Sequence, residues 1–558
     1  MCGIWFRLGP MMPIHNPKTW IQALEPRGPE SMTITTLSGD ITMGFTRLAI
    51  NGLSDKGMQP FYHQQTSWIC NGEIYNWKDL ASHHGFQLQS GSDCEIIGSM
   101  YQLYKDNLPQ LFRSLDGVFA IVLVDEERGH VIVARDPYGV RPLYSGIKFQ
   151  YRYESGTTIH IGTQTLFFSS ELKGLIPIVD HVGHFPPGTY QIYDIVTKKL
   201  LVSYKYHTVP WIKNPAVSLL NPMGLDMACA SLRFALEDAV RKRMLTERPV
   251  AALLSGGIDS SLIASLVQKQ LRIAGAPPLR TFSIGMKGSE DLRHAKMVAE
   301  WIGSSHTEIV LTADEFFKAI PAVIRAIETF DTTTVRASVG NWLVSKAIKE
   351  QSDCKVVFNG DGSDEVFGSY LYFYKAPSDI AFEEETQRLL DDIHMFDVQR
   401  SDRSISSHGL EPRTPFLDKQ FVAVARSVPT YWRRPHQGRQ VEKWILRRAF
   451  DDGSTLPHQV LWRRKEAFSD GVSSQEKSWY QEIQERVLSS VPPDWSEKAK
   501  RHYEHLSPQT PEQYHYRYIF EAEFSKVPSQ TCVPYFWMPR WSPGVTDPSA
   551  RVLTVYNQ

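Results

Sequence analysis

No stretch of this 558-residue chain approaches the roughly 20 consecutive apolar residues that a membrane-spanning helix needs. The opening Met-Cys-Gly-Ile-Trp-Phe-Arg also lacks the order of basic region, apolar core and small-residue cleavage site that marks a secretory leader. Cysteine is scarce: positions 2, 70, 94, 229, 354 and 532 show no CxxC spacing, which argues against both a zinc site and a disulfide framework. Charge of one sign is lacking too. The 60 Lys and Arg against 61 Asp and Glu leave a formal net charge of −1, so no global field draws the chain to nucleic acid or an anionic membrane. Internal repeats and low-complexity blocks are missing. With 42% apolar and 22% charged residues, the composition predicts a soluble globular enzyme of a reducing, cytoplasmic compartment, long enough for roughly three or four domains.

Residues 2 to about 190 carry short β-type runs between turn signals: Ile41–Ile50, Ser67–Cys70, Phe119–Val124, Val131–Ala134 and Thr189–Tyr193. One helix is expected over Asp93–Tyr104. Together these predict a layered, largely antiparallel α+β domain over 2–190. Residues 200–222 show little periodicity and read as a connector. Beyond it, helical periodicity covers Leu225–Arg243, and strands (Val250–Leu254, Thr281–Met286, Thr307–Leu311, Lys355–Phe358) alternate with helices (Ser261–Lys269, Leu292–Trp301). That alternation predicts a doubly wound parallel α/β sheet, whose ligands bind beyond the carboxyl ends of the strands. The second domain is expected over 213–540, helix-rich towards its end, with 541–558 as a loose tail.

Cys2 follows the initiator methionine, and its small size favours methionine removal. Its thiol would then sit beside a free α-amine titrating near 8, which can act as its base. The alternative is a small apolar residue tucked under the first strand. Arg47, in Phe45-Thr46-Arg47-Leu48-Ala49-Ile50, could aim a guanidinium at a carboxylate. Asn71-Gly72-Glu73 offers a side-chain amide and a glycine amide as oxyanion donors. Asp93, in Gly91-Ser92-Asp93, could cap a helix or bind an ammonium group.

These stretches, with Arg27-Gly28-Pro29, Leu115-Asp116-Gly117-Val118-Phe119-Ala120 and Ala134-Arg135-Asp136-Pro137-Tyr138-Gly139, resemble the class II glutamine amidotransferase domain in order and spacing. The resemblance implies a layered αββα N-terminal-nucleophile fold. It also implies that Cys2 attacks the glutamine amide to form a thioester, with Asn71 and Gly72 stabilising the oxyanion. Arg47 would bind the glutamine α-carboxylate, Glu73 and Asp93 its ammonium, and Leu48, Ala49, Ile50 and Asn51 would line the pocket. The chain departs from the family at Glu30, usually aspartate, and at Pro26 and Phe45, often histidine.

In the second half, Leu254-Ser255-Gly256-Gly257-Ile258-Asp259-Ser260 places a glycine-rich turn after a strand and before a helix, where amides and hydroxyls can cradle phosphate. It lacks the lysine of a Walker loop and is similar to the pyrophosphate loop of enzymes that cleave ATP to AMP and pyrophosphate. Asn359-Gly360-Asp361-Gly362-Ser363-Asp364-Glu365 follows another buried strand. Asp259 and Asp364 suit magnesium, which needs few carboxylates besides substrate phosphates. Arg336, Glu411, Arg413 and Lys465 add charge that on its own reads equally as solvated side chains or structural ion pairs.

Taken together, and with the terminal run Pro534-Tyr535-Phe536-Trp537-Met538-Pro539-Arg540-Trp541, these segments resemble the asparagine synthetase family from about 225 to 540. The resemblance implies that Leu254, Ile284, Asn359 and Gly360 hold adenosine, that Ser255 to Ser260 hold pyrophosphate with magnesium on Asp259 and Asp364, and that Lys465 stabilises the transferred charge. Arg336, Glu411 and Arg413 become candidates for binding aspartate or closing the site. Aspartate would be adenylated by ATP, then amidated by glutamine-derived ammonia carried through an internal passage, in a homodimer. Asp361 and Asn359 stand where the family often has glutamate and serine; Asp361 is a candidate acceptor of the ammonium proton. Two other outcomes are a relative that adenylates another carboxylate, as β-lactam-forming enzymes do, and a glutamine sensor without synthetase activity.

Overall fold

In the computed structural model, the described residues are 1–10, 16–37, 40–154, 157–176, 178–208, 224–436, 441–465, 471–473, 477–525 and 529–554, with the backbone alone for 150–154 and 157–163. They form two compact units, one of residues 1–208, 406–410 and 522–534, the other of 209–405, 411–521 and 535–558.

The first unit is built of twelve strands: β1 Gly3–Leu8, β2 Ser31–Thr36, β3 Ile41–Arg47, β4 Phe61–His63, β5 Thr66–Ile74, β6 Gly117–Asp125, β7 His130–Arg135, β8 Tyr144–Glu154, β9 Thr157–Ser169, β10 His181–His184, β11 Thr189–Asp194 and β12 Leu200–Lys205. They pair antiparallel into two six-stranded sheets, ordered β10-β8-β9-β1-β3-β2 and β12-β11-β7-β6-β5-β4. Successive side chains of a strand point to opposite faces, and the sequence uses this at every central position. Ile69, Ala120, Val122, Val124, Val131 and Val133 join Ile4, Phe6, Met43 and Phe45 between the sheets. Their neighbours Trp68, Cys70, Phe119, Ile121, Leu123 and Ile132 turn outward onto the helices Ile96–Tyr104 and Leu108–Ser114. Helix Pro17–Gln22 covers β1 and β3 on the other sheet. The result is the expected layered αββα arrangement.

The first unit runs past residue 190. β11 pairs with β7, and β12 pairs with β11, so the second sheet closes only at Lys205. The expected connector over 200–222 therefore begins as a strand. All six residues of β12 are exposed, leaving no alternation of burial to read; positions 209–223 lie outside the described residues.

The second unit holds one parallel sheet of β13 Val250–Leu253, β14 Arg280–Gly285, β15 Ser305–Val310, β16 Val356–Phe358 and β17 Glu411–Arg413, ordered β15-β14-β13-β16-β17. The chain steps outward from β13 through β14 to β15, then returns to β16 on the other side of β13. That reversal makes the carboxyl ends of β13 and β16 the topological switch point where ligands of such sheets bind. The helix predicted over Leu225–Arg243 has those bounds. Of the expected loose tail 541–558, the described residues 541–554 are instead seated: Trp541, Val545 and Ala550 pack against a cluster containing Tyr372, Phe373, Trp537 and Leu553, and 555–558 lie outside the described residues. The aromatic residues of this cluster are scattered in sequence, which hides the docking from any local pattern. No helix among the described residues is long and apolar enough to cross a membrane.

Candidate active sites

In the first unit, Cys2 precedes β1 and is half-buried. Its N–H donates to Asn71 Oδ1 at 3.2 Å, its Sγ lies 3.7 Å from the carbonyl of Leu48, and Arg27 Nε donates to its carbonyl at 3.1 Å. β5 delivers Asn71, Gly72 and Glu73 from one strand end, and side-chain alternation does not scatter them because Gly72 contributes only backbone. A Cβ at Gly72 would lie 2.3 Å from the carbonyl oxygen of Val118, so the close pairing with β6 requires glycine there.

β3 ends at Arg47, three residues short of the expected strand, and 48–57 fold back as a loop. Arg47 donates to the carbonyls of Gly52 and Ser54 and so holds that loop. Asn51 donates to Glu73 Oε2 at 2.8 Å. Asp93 does not cap its helix: its carboxylate accepts from the N–H of Ile74 at 2.6 Å, which stitches the 90–95 segment to β5 beside Glu73. A Cβ at Gly52 would meet the backbone of Ser90, Gly91 and Ser92 at 2.6 Å, so the two loops touch. Glu30 reaches the N–H of Ala49 at 2.8 Å, a contact that supports the pocket loop with the longer carboxylate. Phe45 is a core residue of the sheet sandwich. Contacts thus link Cys2 to Leu48 and Asn71, Asn51 to Glu73, and Asp93 to the end of β5, so the 48–57 loop, the 90–95 segment and β5 come together beside Cys2.

In the second unit, the turn after β13 leads into helix Ile258–Ile273, whose first N–H groups receive no side-chain cap. Such a helix start carries unpaired donors and a positive dipole end. Gly256 adopts a φ of +72°, and a Cβ there would collide with His294 at 2.4 Å. Gly257 N–H donates to Ser255 Oγ, and Ser255 and Ser260 hydroxyls lie 3.0 Å apart. The loop after β16 lies directly alongside, because a Cβ at Gly360 would come within 2.8 Å of Asp259.

Leu254, Ser255, Gly257, Asp259, Ser260, Ile284, Asn359, Gly360, Asp361, Asp364 and Lys465 all line one cavity. Several residues that pattern reading missed line it too. Lys443 is buried, with its Nζ 2.5 Å from Asp259 Oδ2 and 2.7 Å from Asp364 Oδ1; Lys465 Nζ lies 2.6 Å from the same Asp364 oxygen. Burial alone would raise the Asp364 carboxyl, but the two ammonium groups hold it well below the usual carboxylate range. Lys443 in turn is raised despite its burial, by Asp259 and Asp364. Its backbone is left-handed, with a φ of 56°, in which a non-glycine residue stores strain. Arg400 donates to Asp361 Oδ1 at 2.8 Å and to Asp397 Oδ1 at 3.2 Å, leaving Asp361 Oδ2 buried without a hydrogen-bond partner. Tyr370 Oη donates within a cluster formed with Glu365 and Asp397.

Among the described residues no three His, Cys, Asp or Glu side chains gather as a metal cluster. The donor set fits magnesium arriving with nucleotide phosphates, because Asp259 Oδ1 is a buried acceptor without a partner and Asp364 stands opposite it across Lys443.

Four predicted residues are not among those lining this cavity: Gly256, whose left-handed turn packs on His294, and Glu411, Arg413 and Arg336. Glu411 and Arg413 form β17, where Arg413 donates to Glu411 Oε1 at 2.9 Å and to the carbonyls of Leu245 and Arg243, a buried anchor of the sheet edge. Arg336 is clamped between Glu512 and Asp547.

The family profile described as asparagine synthase matches residues 231–381 and 377–526, and that of the glutamine amidotransferase domain matches 1–192. The glutamine-hydrolysing asparagine synthetase of Gallus gallus is 39% identical over 580 residues, covering 100% of this chain and 99% of that protein. Those of Homo sapiens and Rattus norvegicus are 39% and 38% identical over 577 residues, with the same coverage. Two domain profiles in the order of the two units, and relatives that align from end to end, place the chain in a single lineage: it belongs to the glutamine-hydrolysing asparagine synthetase family.

Proposed function

We propose that the chain converts L-aspartate, ATP and L-glutamine, with water, to L-asparagine, AMP, diphosphate and L-glutamate. The observation that carries the reading is Asp364, clasped between Lys443 and Lys465 beside an uncapped helix start, in a chain whose other unit brings Cys2 against Asn71.

At the first site, the Cys2 thiolate, its proton taken by the α-amine of the processed chain, attacks the glutamine amide. Asn71 and Gly72 stabilise the oxyanion, ammonia leaves, and water hydrolyses the thioester to glutamate. Arg47 fixes the glutamine carboxylate, while Glu73 and Asp93 fix its ammonium. At the second site, Leu254 and Ile284 bracket the adenosine, and the amides of 255–260 receive the diphosphate. The β-carboxylate of aspartate attacks the α-phosphorus, giving an acyl-adenylate and diphosphate; Lys443 and Lys465 offset the charge that grows on the phosphate oxygens. Magnesium held by Asp259 and Asp364 would neutralise charge on the diphosphate. Ammonia then attacks the acyl carbon, AMP departs, and the proton lost from nitrogen passes to the unpartnered Asp361 Oδ2, whose other oxygen Arg400 fixes. A homodimer in the cytoplasm belongs to the same reading.

The test is product analysis with amide-labelled glutamine, aspartate and Mg-ATP. Label in asparagine with one AMP per asparagine is expected; ADP as product, or label found only as free ammonia, would sink the reading.

A further inference from the structure

Asp361 sits in a stretch of backbone that does not hold itself. Its neighbours are Gly360 and Gly362, and glycine is the residue whose backbone dihedrals are least restricted. Gly362 adopts a φ of +90°. A carboxylate on such a turn keeps one direction only where side chains fix it. Two residues at consecutive positions of helix Asp397–Ser406 do so, Arg400 directly and Ser401 through Asn359. Arg400 donates to Asp361 Oδ1 at 2.8 Å, and Ser401 Oγ accepts from Asn359 Nδ2 at 2.7 Å. Asn359 passes the tether on. Its Oδ1 accepts from the N–H of Asp361 at 3.3 Å, the turn that an asparagine side chain makes with the residue two positions further.

The near end of the loop is fixed as well. The N–H of Asn359 donates to the carbonyl of Arg413 at 3.1 Å, which continues the pairing of β16 with β17. Asn359 and Ser401 are 3% and 2% exposed, so water does not compete for their bond. Asn359 and Asp361 line the nucleotide cavity, whereas Ser401 does not. Both polar atoms of the Asn359 side chain are engaged, one with the helix and one with the loop. What this leaves free is Asp361 Oδ2, buried and without a hydrogen-bond partner.

We infer that Asn359 and Ser401 are positioning residues for the amidation step: through them the helix sets where Asp361 Oδ2 meets the incoming nitrogen. The inference rests on the proton-accepting role proposed above for Asp361 and adds what aims that carboxylate. Ammonia attacking the acyl carbon gives up a proton as AMP departs. An acyl-adenylate that is not captured takes water instead, giving aspartate and AMP. A misplacement of about 1 Å costs such a step on the order of 10²-fold. The loss falls on asparagine formed per diphosphate released, because diphosphate has left before ammonia attacks. Bond lengths make the tether testable. Serine at 359 keeps the local turn but is one bond too short to reach Ser401 as well. Glutamate at 361 carries its carboxyl one methylene further. The two changes err in opposite directions, so a released loop bearing the longer acid regains its contact with Arg400.

The measurement is asparagine formed per diphosphate released, with Mg-ATP, aspartate and added ammonia, in the full chain and its variants. Ser401→Ala and Asn359→Ser are each expected to lower the ratio by about fivefold or more. Ser401→Thr, which keeps the hydroxyl, is expected to retain most of it. Asp361→Glu alone is expected to lower the ratio too, and the double variant Asn359→Ser with Asp361→Glu to stand above either single one, as members of one network do not add. Thermal unfolding of each variant with and without Mg-ATP reports that the second unit is folded. An unchanged ratio in either Ser401→Ala or Asn359→Ser overturns the inference, as do losses that simply multiply in the double variant. Asp361→Asn separates the two layers. If it leaves the ratio unchanged, the proton-accepting role itself falls; if it lowers the ratio while Asn359→Ser does not, only the positioning role falls.

Discussion

Lys443→Met removes an ammonium that bridges Asp259 and Asp364. The side chain is 1% exposed, so its charge is countered by those two carboxylates rather than by water. Methionine keeps the length and volume of the stem and deletes only the charge. Two effects follow, and they differ in size and in which unit they touch. Breaking a buried ion pair by removing one partner costs about 3–5 kcal/mol, because the other partner is left charged and uncompensated. Here Lys465 still contacts Asp364, so the loss falls mainly on Asp259, and the low end of that range is expected. The second effect is on chemistry. One preorganised donor aimed at developing charge is worth about 10²–10³ in kcat. Diphosphate release dependent on ATP and aspartate, with ammonia as nitrogen source, should therefore fall by that factor. Glutamine hydrolysis, which uses Cys2 and β5, should stay within twofold. Lys443→Arg should recover part of the synthetase rate, since the charge returns with a different reach. Thermal unfolding with and without Mg-ATP separates the two effects: a folded variant that ATP no longer stabilises has lost the donor, not the fold. Synthesis within threefold of the unaltered chain would refute the assignment of Lys443 to the phosphates.

Cys2→Ala should abolish glutamine hydrolysis and leave asparagine formation from added ammonia intact; residual hydrolysis, read as glutamate release, would remove Cys2 as nucleophile. Arg400→Lys loses the fork between Asp361 and Asp397, so diphosphate release should persist while asparagine formed per diphosphate falls several-fold. Gly72→Ala forces a Cβ to 2.3 Å from Val118 O, and glutaminase should drop by at least 100-fold with the synthetase spared, measured side by side. Asp418 gives a pH prediction. Burial pushes its carboxyl up, but Arg243 and Lys242 hold it at about 2. A depressed folded value means the pair stabilises the fold above the unfolded value of about 3.9 and loses that stabilisation as pH falls towards 2. The denaturation midpoints of Asp418→Asn and the unaltered chain should thus differ near neutral pH and converge across that window.

What the sequence made legible is what local order encodes. The turn 254–260 sits between a strand and a helix that adjoin it in the chain, so its place at a helix start was readable from local order. Asn71 and Gly72 lie on one strand, and Asp93 needed only a short return to meet it, though its role in bonding Ile74 rather than capping was not readable. The apolar runs at Ser67–Cys70, Phe119–Val124 and Val131–Ala134 predicted the strands β5, β6 and β7, because both faces of each are buried against different partners. β12 had no such signal.

Lys443 shows where local order stops. It lies 184 residues from Asp259, in a segment without strand or helix periodicity ahead of helix Trp444–Ala449, and nothing in Glu442-Lys443-Trp444 distinguishes it from a solvated charge. Arg336, which on its own reads as a solvated charge or ion pair and which the resemblance made a candidate for aspartate binding or closure, is paired with Glu512 and Asp547, 176 and 211 residues on. A lone basic residue can therefore be scored only once its partners are known. Lys443 is held by two carboxylates that line the nucleotide cavity, with Asp259 Oδ1 left unpartnered; Arg336 is held by Glu512 and by Asp547, and Asp547 is tied in turn to Gln484 and Ser549, so the guanidinium is largely engaged by the fold. The same criterion separates Asp361, with one oxygen fixed by Arg400 and one unpartnered in the cavity, from Glu411, whose partner Arg413 anchors it to the sheet edge. It is the unspent half of a buried pair, not its charge or its sequence setting, that marks the residues able to act on a substrate.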